Sequence, residues 1–344
     1  MKRLLKTACA FAVISAAVVF AAELRPADSG SSEVTSSAES VPVPTAADSE
    51  KIYRCLGSSD FYVLREETGE IVKMSEEEYV IGAVMAEMPA DYPEEALKAQ
   101  AAAAHTYAVR RREEQLSSPD PKLCGAYISD DPQKYQGCLS EEDARKLYGS
   151  GYDDAYRKIS EAVKAVSDKV MICGGEPIVA AFHAISPGRT ESAENVWGSS
   201  VSYLMPVESP FDETAADFSE SFTFTAAEVR GRLTAEYPDK NIPEDILSAI
   251  SVTDISPSGT VLTVSAGELC ISGSDMRRIF SLPSAAFELS SDGEALTVVT
   301  KGSGHGVGMS QYGAKCLAEQ GFTYEEIIKY YYTGAELARL EYSE

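Results

Sequence analysis

Hydrophobic and polar residues follow a helical period between Ser75 and Pro89. Val80 and Val84 recur four residues apart, which places them on one face of an α-helix. Ser75 followed three residues later by Glu78 is the sequence pattern of a capping box at a helix N-terminus. Pro89 disfavours helical backbone at the residue before it, so the pattern predicts that this helix ends at about that residue.

A second helix is predicted from Pro93 onwards, because proline is favoured in the first turn and acidic residues follow it. An alanine-rich run continues through residues 96–104. Lys98 and His105 fall on one face of this helix, and its alanines would allow close packing that brings both side chains near Glu87. The same alanines are equally compatible with a plain buried helix.

The second half of the chain combines short strand patterns with capped helices. Residues 221–224 and 260–264 alternate or concentrate β-favouring side chains and predict strands. Thr225 with Glu228 forms another capping-box pattern and predicts a helix between these strands. Residues from about 215 to 300 are therefore expected to form a smaller α+β lobe.

Near the C-terminus, Thr323 and Glu326 predict a helix that runs through three consecutive tyrosines until Gly334. Tyrosines at 330–332 fit packing better than sugar binding. Together these patterns predict an α+β fold of helices and antiparallel strands, arranged as two lobes around a cleft.

The first 50 residues differ in composition from the rest. A basic start precedes an uncharged stretch from Thr7 to Ala22, the pattern of an export signal. We favour an uncleaved single-pass anchor in the cell membrane over residues 1–23, with secretion after cleavage as the alternative. Residues 24–50, rich in Ser, Ala, Thr, Pro and acids, predict a flexible linker. Residues 51–344 would then form the extracytoplasmic domain.

Charge and cysteine content narrow the possible partners. A formal net charge of −24 excludes nucleic acid, whose binders concentrate Lys and Arg, but is compatible with an uncharged polymer or a basic protein. The cysteine spacing shows no paired zinc-binding pattern. Cys124 and Cys138 bracket a polar, turn-rich stretch and fit either a local disulfide or two free thiols.

Glu87 is a candidate for chemistry because it falls in the last turn of the first predicted helix. The helix dipole disfavours a negative charge there, and Met85 and Met88 add apolar surroundings. A carboxyl group that stays protonated is what a general acid needs. A glutamate near a helix end is more often a solvated surface group, so both interpretations stay open.

The three histidines of the chain, His105, His183 and His305, lie in three different densely patterned segments. Together they suggest a shared polar site, although each alone fits a structural imidazole. A metallohydrolase built on them lacks carboxylate partners at ligand spacing. The glycine-rich loop around His305 lacks the lysine of a phosphate-binding loop. We therefore predict no metal and no cofactor.

The chain also carries a collinear set of sequence blocks: VMAEMP at 84–89, EALKAQA at 95–101 with TYA at 106–108, GRTESAENVWG at 188–198, YL at 203–204, SP at 209–210 and GHGVGMSQYGA at 304–314. This set resembles the stage II sporulation protein D (SpoIID) family and the related amidase enhancers often called LytB. So long an ordered set is far more specific than a single short motif.

The resemblance implies a lytic transglycosylase with Glu87 as catalytic residue and Lys98 in a supporting role. Such an enzyme cuts the MurNAc–GlcNAc bond of peptidoglycan strands already stripped of stem peptides and leaves 1,6-anhydro-MurNAc ends. One carboxyl suffices because the C6 hydroxyl of the substrate replaces the second carboxylate that a hydrolase uses. Family members act in spore engulfment, alongside other membrane proteins.

The main alternative is a non-catalytic amidase enhancer, which binds cell wall and activates an N-acetylmuramoyl-L-alanine amidase. In that case Glu87 would be structural or vestigial.

The resemblance also implies residues that hold the substrate through hydrogen bonds and an aromatic face. They are Lys98, His105, Tyr107, His183, Ser186, Arg189, Thr190, Asn195, Trp197, Tyr203, His305, Ser310 and Gln311. Trp197 fits core packing equally well. His105 stands where the family usually has Arg, and its positive charge near neutral pH depends on a partner. The turn at 130–132 lacks the Cys and His-Cys flanks that bind zinc in some members, so no zinc site is implied.

Overall fold

The computed structural model describes residues 51–131 and 134–343, which form a mixed α+β fold. The predicted membrane segment at 1–23 and the linker at 24–50 lie outside the described residues. Within the two described ranges, no helix has both the length and the apolar character needed to cross a bilayer.

The helices occur throughout the described chain. They are α1 Glu76–Glu87, α2 Glu94–Ser117, α3 Glu141–Tyr148, α4 Tyr152–Ala165, α5 Ala193–Trp197, α6 Ala226–Glu236, α7 Ile246–Ala249, α8 Gly273–Phe280, α9 Gln311–Glu319 and α10 Tyr324–Tyr331. Short 3₁₀ turns occur at Pro121–Leu123, Gly149–Gly151 and Pro210–Thr214.

The strands are short and mostly pair in small sheets. They are β1 Ile52–Leu56, β2 Asp60–Leu64, β3 Ile71–Ser75, β4 Ile128–Ser129, β5 Lys169–Cys173, β6 Glu176–Pro177, β7 Phe182–His183, β8 Ser219–Thr225, β9 Ile250–Ile255, β10 Val261–Ala266, β11 Leu269–Ser272, β12 Phe287–Ser291, β13 Ala295–Lys301, β14 Met309–Ser310 and β15 Glu336–Ser343. The sheet orders are β1-β15-β5-β6, β3-β2-β4, β11-β10-β9, β12-β13-β8 and β14-β7.

Strand pairing is antiparallel in most pairs, as predicted, but not in all. β1 runs parallel to β15, β2 to β4, and β7 to β14. Each parallel pair joins segments distant in sequence, as Ile52 opposite Arg339 illustrates. Parallel neighbours need long crossover connections, so local sequence patterns did not reveal them.

The main hydrophobic core is built around α2. Its alanines at Ala96, Ala99 and Ala101–Ala104 are fully buried. Because an alanine side chain is a single methyl group, α1, α4, α9 and α10 pack closely against this helix. The alanine-rich run is therefore the centre of the domain, and it holds α1 in a fixed position.

The three predicted capping boxes are all present, at Ser75 with Glu78, Thr225 with Glu228 and Thr323 with Glu326. Helix α1 ends at Glu87 because Met88, before Pro89, adopts an extended conformation with φ −128° and ψ 133°. Helix α10 ends at Tyr331. Tyr331 and Tyr332 are buried, which confirms the prediction that they pack.

A second hydrophobic core forms from residues between 222 and 298. It includes Phe224, Leu233, Val264 and Met276, and it joins two three-stranded sheets to α6 and α8. These residues fall within the segment for which the sequence predicts a smaller α+β lobe.

The short parallel pair of β7 and β14 places His183 opposite Ser310, which belongs to the sequence block at 304–314. Glycines make this approach possible. A Cβ at Gly308, whose φ is 73°, would lie 2.1 Å from the carbonyl oxygen of Ala181. At Gly304, with φ 115°, it would lie 2.6 Å from Cβ of His183. Only glycine fits these positions without moving the backbone.

Candidate active site

Glu87 is the last residue of α1 and lies at the start of the turn that leads to α2. Its side chain is half-buried, while Met85 and Met88 beside it are almost completely buried. The carbonyl groups at the end of a helix carry a partial negative charge. An ionised carboxylate is therefore disfavoured at this position by both its neighbours and the helix.

Burial raises the pKa of Glu87 to about 8, although a hydrogen bond from the backbone N–H of Gly137 acts in the opposite direction. The carboxyl group is thus largely protonated at neutral pH. A protonated carboxyl at the edge of a cavity has the protonation state that general acid catalysis requires.

Glu87 lines a cavity of about 510 Å³. One wall consists of residues 85–91, and the other contains Tyr148 from α3 and Lys158 from α4. The hydroxyl of Tyr148 donates to the carbonyl of Met85 at 3.0 Å. This hydrogen bond joins the two walls, so packed helices hold the shape of the cavity.

The segment 136–139 contacts Glu87 through the backbone N–H of Gly137. The side-chain oxygen of Gln136 accepts a hydrogen bond from the hydroxyl of Tyr79 at 3.2 Å. The backbone N–H of Gln136 donates to the hydroxyl of Tyr107 at 3.4 Å. Tyr107, predicted to bind substrate, is therefore connected to the site through this segment, where it can position the N–H that contacts Glu87.

Gly82 in α1 allows this segment to pack against the helix. A Cβ at Gly82 would lie 2.7 Å from Sγ of Cys138 and 2.7 Å from the carbonyl oxygen of Leu139. The N–H of Leu139 donates to the carbonyl of Gly82 at 3.1 Å. Gly82 is not among the residues predicted for the site, although a glycine inside an otherwise apolar helix is a signal that the sequence contains.

Of the two residues in the predicted polar stripe, His105 does not lie beside Glu87. Nζ of Lys98 pairs with Glu95 at 2.8 Å, within its own helix. Nε2 of His105 lies 3.1 Å from a carboxylate oxygen of Glu76, the first residue of α1. Glu87 lies eleven positions beyond Glu76 in the same helix, which corresponds to about 16 Å along the axis.

His105 belongs instead to a buried charge cluster. Arg112 also pairs with Glu76, at 3.3 Å, and the hydroxyl of Tyr342 donates to the same carboxylate. Burial would raise the pKa of Glu76, but His105 and Arg112 outweigh it and lower that pKa. Burial likewise opposes the charge on His105, yet the bond to Glu76 raises its pKa. Glu76 is thus the partner that favours the positive form of His105.

His183 and His305 lie side by side with ring centroids 5.8 Å apart, and Trp197 packs against His305 at 5.3 Å. Val307 bonds to both rings: its carbonyl lies 3.1 Å from Nδ1 of His183, and its N–H donates to Nδ1 of His305 at 3.0 Å. Burial lowers the pKa of His183 to about 4 and that of His305 well below its ordinary value. Both rings are therefore neutral at neutral pH.

Ser186 and Ser310 converge on Asp212, which is completely buried. Their hydroxyls donate to its carboxylate at 2.9 and 2.6 Å, and the hydroxyl of Ser209 donates to it as well. Burial raises the pKa of Asp212 although the serine hydrogen bonds act in the opposite direction. Asp212 is not among the residues predicted for the site, because no local sequence pattern marks a buried aspartate.

The other predicted binding residues also bond within the protein. Thr190 Oγ1 accepts from Val207 N–H at 2.8 Å, Asn195 Nδ2 donates to Glu191 at 2.9 Å, Arg189 pairs with Glu208 at 3.4 Å, Tyr203 hydroxyl accepts from Val179 N–H at 2.9 Å, and Gln311 Nε2 donates to Gln100 at 3.3 Å. Asn195 is exposed and Trp197 half-buried. Most of the set therefore forms a polar framework.

The described residues also show whether metal ligands or a disulfide occur in the fold. Within residues 51–131 and 134–343, no group of three or more His, Cys, Asp or Glu side chains is arranged to hold a metal ion. Cys124 and Cys138 are both free thiols. Of the two alternatives for these cysteines, the structure has the free thiols.

The part of the chain that carries Glu87 matches a known family. Residues 65–172 match the family model described as SpoIID, Stage II sporulation protein. This match indicates that the chain is of the sporulation-protein class. Stage II sporulation protein D of Bacillus subtilis (strain 168) is 39% identical over 77% of this chain and 75% of its own length. Its counterpart in Bacillus amyloliquefaciens is 36% identical over 81% and 78%. The chain therefore belongs to the stage II sporulation protein D family.

A more distant similarity is to an amidase enhancer. The protein named Amidase enhancer of Bacillus subtilis (strain 168) is 27% identical over 74% of this chain and 40% of its own length. It is considerably longer than the region that matches.

Proposed function

We propose that the protein is a peptidoglycan lytic transglycosylase that acts in sporulation, during engulfment of the forming spore. Glu87 carries the proposal: it is a single half-buried carboxyl, its pKa is raised to about 8, and it lines a cavity of about 510 Å³. The proposed substrate is a glycan strand from which the stem peptides have been removed.

The proposed reaction uses Glu87 twice. Its carboxyl proton passes to the oxygen that bridges MurNAc C1 and GlcNAc, and the C1–O bond breaks. The C6 hydroxyl of the same MurNAc then attacks C1, and its proton passes to the Glu87 carboxylate. This step closes the 1,6-anhydro ring, returns Glu87 to its protonated form and adds no water.

Two other carboxylates line the same cavity, Asp91 and Asp154. Asp154 pairs with Arg157 at 3.1 Å, and both of these side chains are exposed. A hydrolase would use a second carboxylate to activate water. The chemical nature of the new glycan ends therefore distinguishes the two reactions: anhydro ends for the lytic reaction, reducing ends for hydrolysis.

The wider architecture in this proposal is a two-lobed domain of residues 51–344 around a glycan cleft. Residues 1–23 would anchor it in the cell membrane, with the domain outside the cytoplasm and near other membrane proteins of engulfment. Sugar contact is assigned to the Glu87 cavity, with Asn195 and Trp197 as candidates for more distant sugars. Tyr107 and the buried serines and histidines would position the backbone.

The test is mass spectrometry of glycan products. The protein and its Glu87→Gln variant are incubated with peptide-free strands and with intact peptidoglycan, and Asp91→Asn serves as a matched control from the same cavity. We expect anhydro-muramyl ends from the unmodified protein and from Asp91→Asn only. Reducing ends that disappear in Asp91→Asn would indicate hydrolysis instead.

A second candidate function is suggested by the similarity to the amidase enhancer. In that case the protein would bind cell wall and stimulate an N-acetylmuramoyl-L-alanine amidase without cutting glycan. The same preparations are therefore added to such an amidase. If neither protein makes new ends and both stimulate the amidase equally, the enhancer function replaces the transglycosylase.

A further inference from the structure

Helix α4 carries a lysine into the Glu87 cavity. Lys158 is half-buried and lines the cavity opposite Glu87. Its Nζ donates a hydrogen bond to the carbonyl oxygen of Tyr92 at 2.6 Å. Tyr92 directly follows residues 85–91, which form the opposite wall of the cavity. The bond therefore holds the ammonium group of Lys158 at the cavity. An ammonium has three donors, and the carbonyl uses one of them.

The charge of Lys158 is not neutralised by a protein carboxylate. Among the described residues it makes no ion pair, whereas its neighbour Arg157 pairs with Asp154. Asp91 lies on the opposite wall and makes no ion pair with Lys158 either. In a chain with a net charge of −24, Lys158 is thus one of the half-buried cations that have no acidic partner among the described residues. Such a group is suited to binding an anion from outside.

We propose that Lys158 binds a carboxylate of the glycan substrate and thereby selects strands whose sugars carry free acid groups. This inference rests on the proposed function. Muramic acid bears a lactyl ether whose carboxyl group is ionised when no peptide is attached and is a neutral amide when a stem peptide is present. Lys158 would form an ion pair with the first kind of strand and not with the second.

The apolar surroundings of Lys158 favour an ion pair with a substrate carboxylate. Its walls are mainly apolar, from Met85, Pro89 and Leu147 among others, so an ion pair there is screened less than one in open water. The acidic protein as a whole repels an anionic strand. Local attraction at the cavity is therefore needed to hold a carboxylate close to Glu87.

The test compares two substrates that differ only in this charge: peptide-free strands, and the same strands with their carboxyl groups converted to methylamides. Neither carries a stem peptide, so size does not change. The variants are Lys158→Met, which keeps the length of the side chain, and Lys158→Arg, which keeps the charge. Lys164→Met, exposed on the same helix and remote from the cavity, is the matched control.

We expect the unmodified protein to cleave the carboxylate strands with about tenfold higher kcat/KM than the methylamides, mainly through KM. Lys158→Met should lose this preference, while Lys158→Arg and Lys164→Met should keep it. A preference that survives in Lys158→Met, or that the unmodified protein lacks, overturns the inference and leaves the transglycosylase proposal intact.

Binding gives a readout that does not need catalysis. Equilibrium binding of both kinds of strand is measured with the Glu87→Gln protein, with and without the additional Lys158→Met change. If no preparation cleaves glycan, the proposed function fails, but a carboxylate preference that depends on Lys158 still supports the subsite. Equal binding of both strands by both proteins overturns it. Thermal unfolding of Lys158→Met shows whether loss of the bond to Tyr92 disturbs the fold.

Discussion

Replacing Glu87 with glutamine should stabilise the folded protein at neutral pH. In the folded protein burial raises the pKa of this carboxyl to about 8, whereas in the unfolded chain it ionises near its ordinary value of 4.5. Folding at neutral pH therefore requires proton uptake at this site, which opposes folding. Glutamine is neutral at every pH, and its amide oxygen still accepts the hydrogen bond from Gly137.

The size of this stabilisation follows from the pKa of Glu87 in the folded protein and in the unfolded chain. Each pH unit above 4.5 reduces the free energy of unfolding by about 1.4 kcal/mol, until the folded carboxyl also ionises near pH 8 and the loss levels off. The full effect at neutral pH is about 3 kcal/mol. Because Glu87 is half-buried and lines an accessible cavity, we expect about 1–2 kcal/mol. The contribution of the carboxyl is thus most favourable below its unfolded pKa and decreases as pH rises.

Urea unfolding at a series of pH values from about 5 to about 9 measures this difference. The stability of Glu87→Gln relative to the unmodified protein should increase up to pH 8 and then remain constant. Glu161→Gln, at an exposed position on α4, removes one negative charge elsewhere and should show no such pH dependence. A glutamine variant that is less stable than the unmodified protein at pH 8 would mean that the carboxyl is ionised and stabilised there, which refutes the reasoning.

Gly82, Asp212 and the pH dependence of catalysis give three further expectations. Gly82→Ala should lower the cleavage rate at least about tenfold with an unchanged circular dichroism spectrum, because it displaces the segment that contacts Glu87. Gly231→Ala, where an added Cβ meets nothing within 4 Å, should leave the rate unchanged; equal rates in both variants would argue against this positioning role. Asp212→Ala should destabilise by about 3 kcal/mol in urea unfolding, since it leaves buried serine hydroxyls without their acceptor; a loss below about 1 kcal/mol would contradict the buried network. Cleavage of peptide-free strands should decrease as pH rises through about 8, where Glu87 loses its proton; a rate that stays constant well above this pH would exclude Glu87 as the acid.

Local signals made parts of this molecule predictable from its sequence. A capping box depends on two residues three positions apart, and a proline acts on its immediate neighbour. The start of α1, its end near Glu87 and the raised pKa expected there all depend on such short-range patterns. The α+β class followed from the same kind of evidence.

The rest of the candidate site depends on contacts between distant segments. His105 meets Glu76 from 29 positions away, and the cavity wall that carries Lys158 comes from 71 residues beyond Glu87. Helical periodicity placed Lys98 and His105 on one face but did not indicate which neighbouring helix, or which end of it, that face contacts. The partner of a buried charge is determined by tertiary packing, which no local pattern contains.

The two ends of α1 show why only one of its glutamates is suited to donate a proton. Glu76 lies at the N-terminus, where the helix dipole favours a negative charge, and two cations pair with it and lower its pKa. Glu87 lies at the C-terminus, where the dipole opposes ionisation, and burial raises its pKa to about 8. The carboxylate of Glu76 is held by His105, Arg112 and the hydroxyl of Tyr342. The carboxyl of Glu87 has one backbone hydrogen bond, from Gly137, acting to lower its pKa. The position along one helix thus gives the same kind of side chain either a structural ion-pair role or the protonation state that the proposed acid chemistry requires.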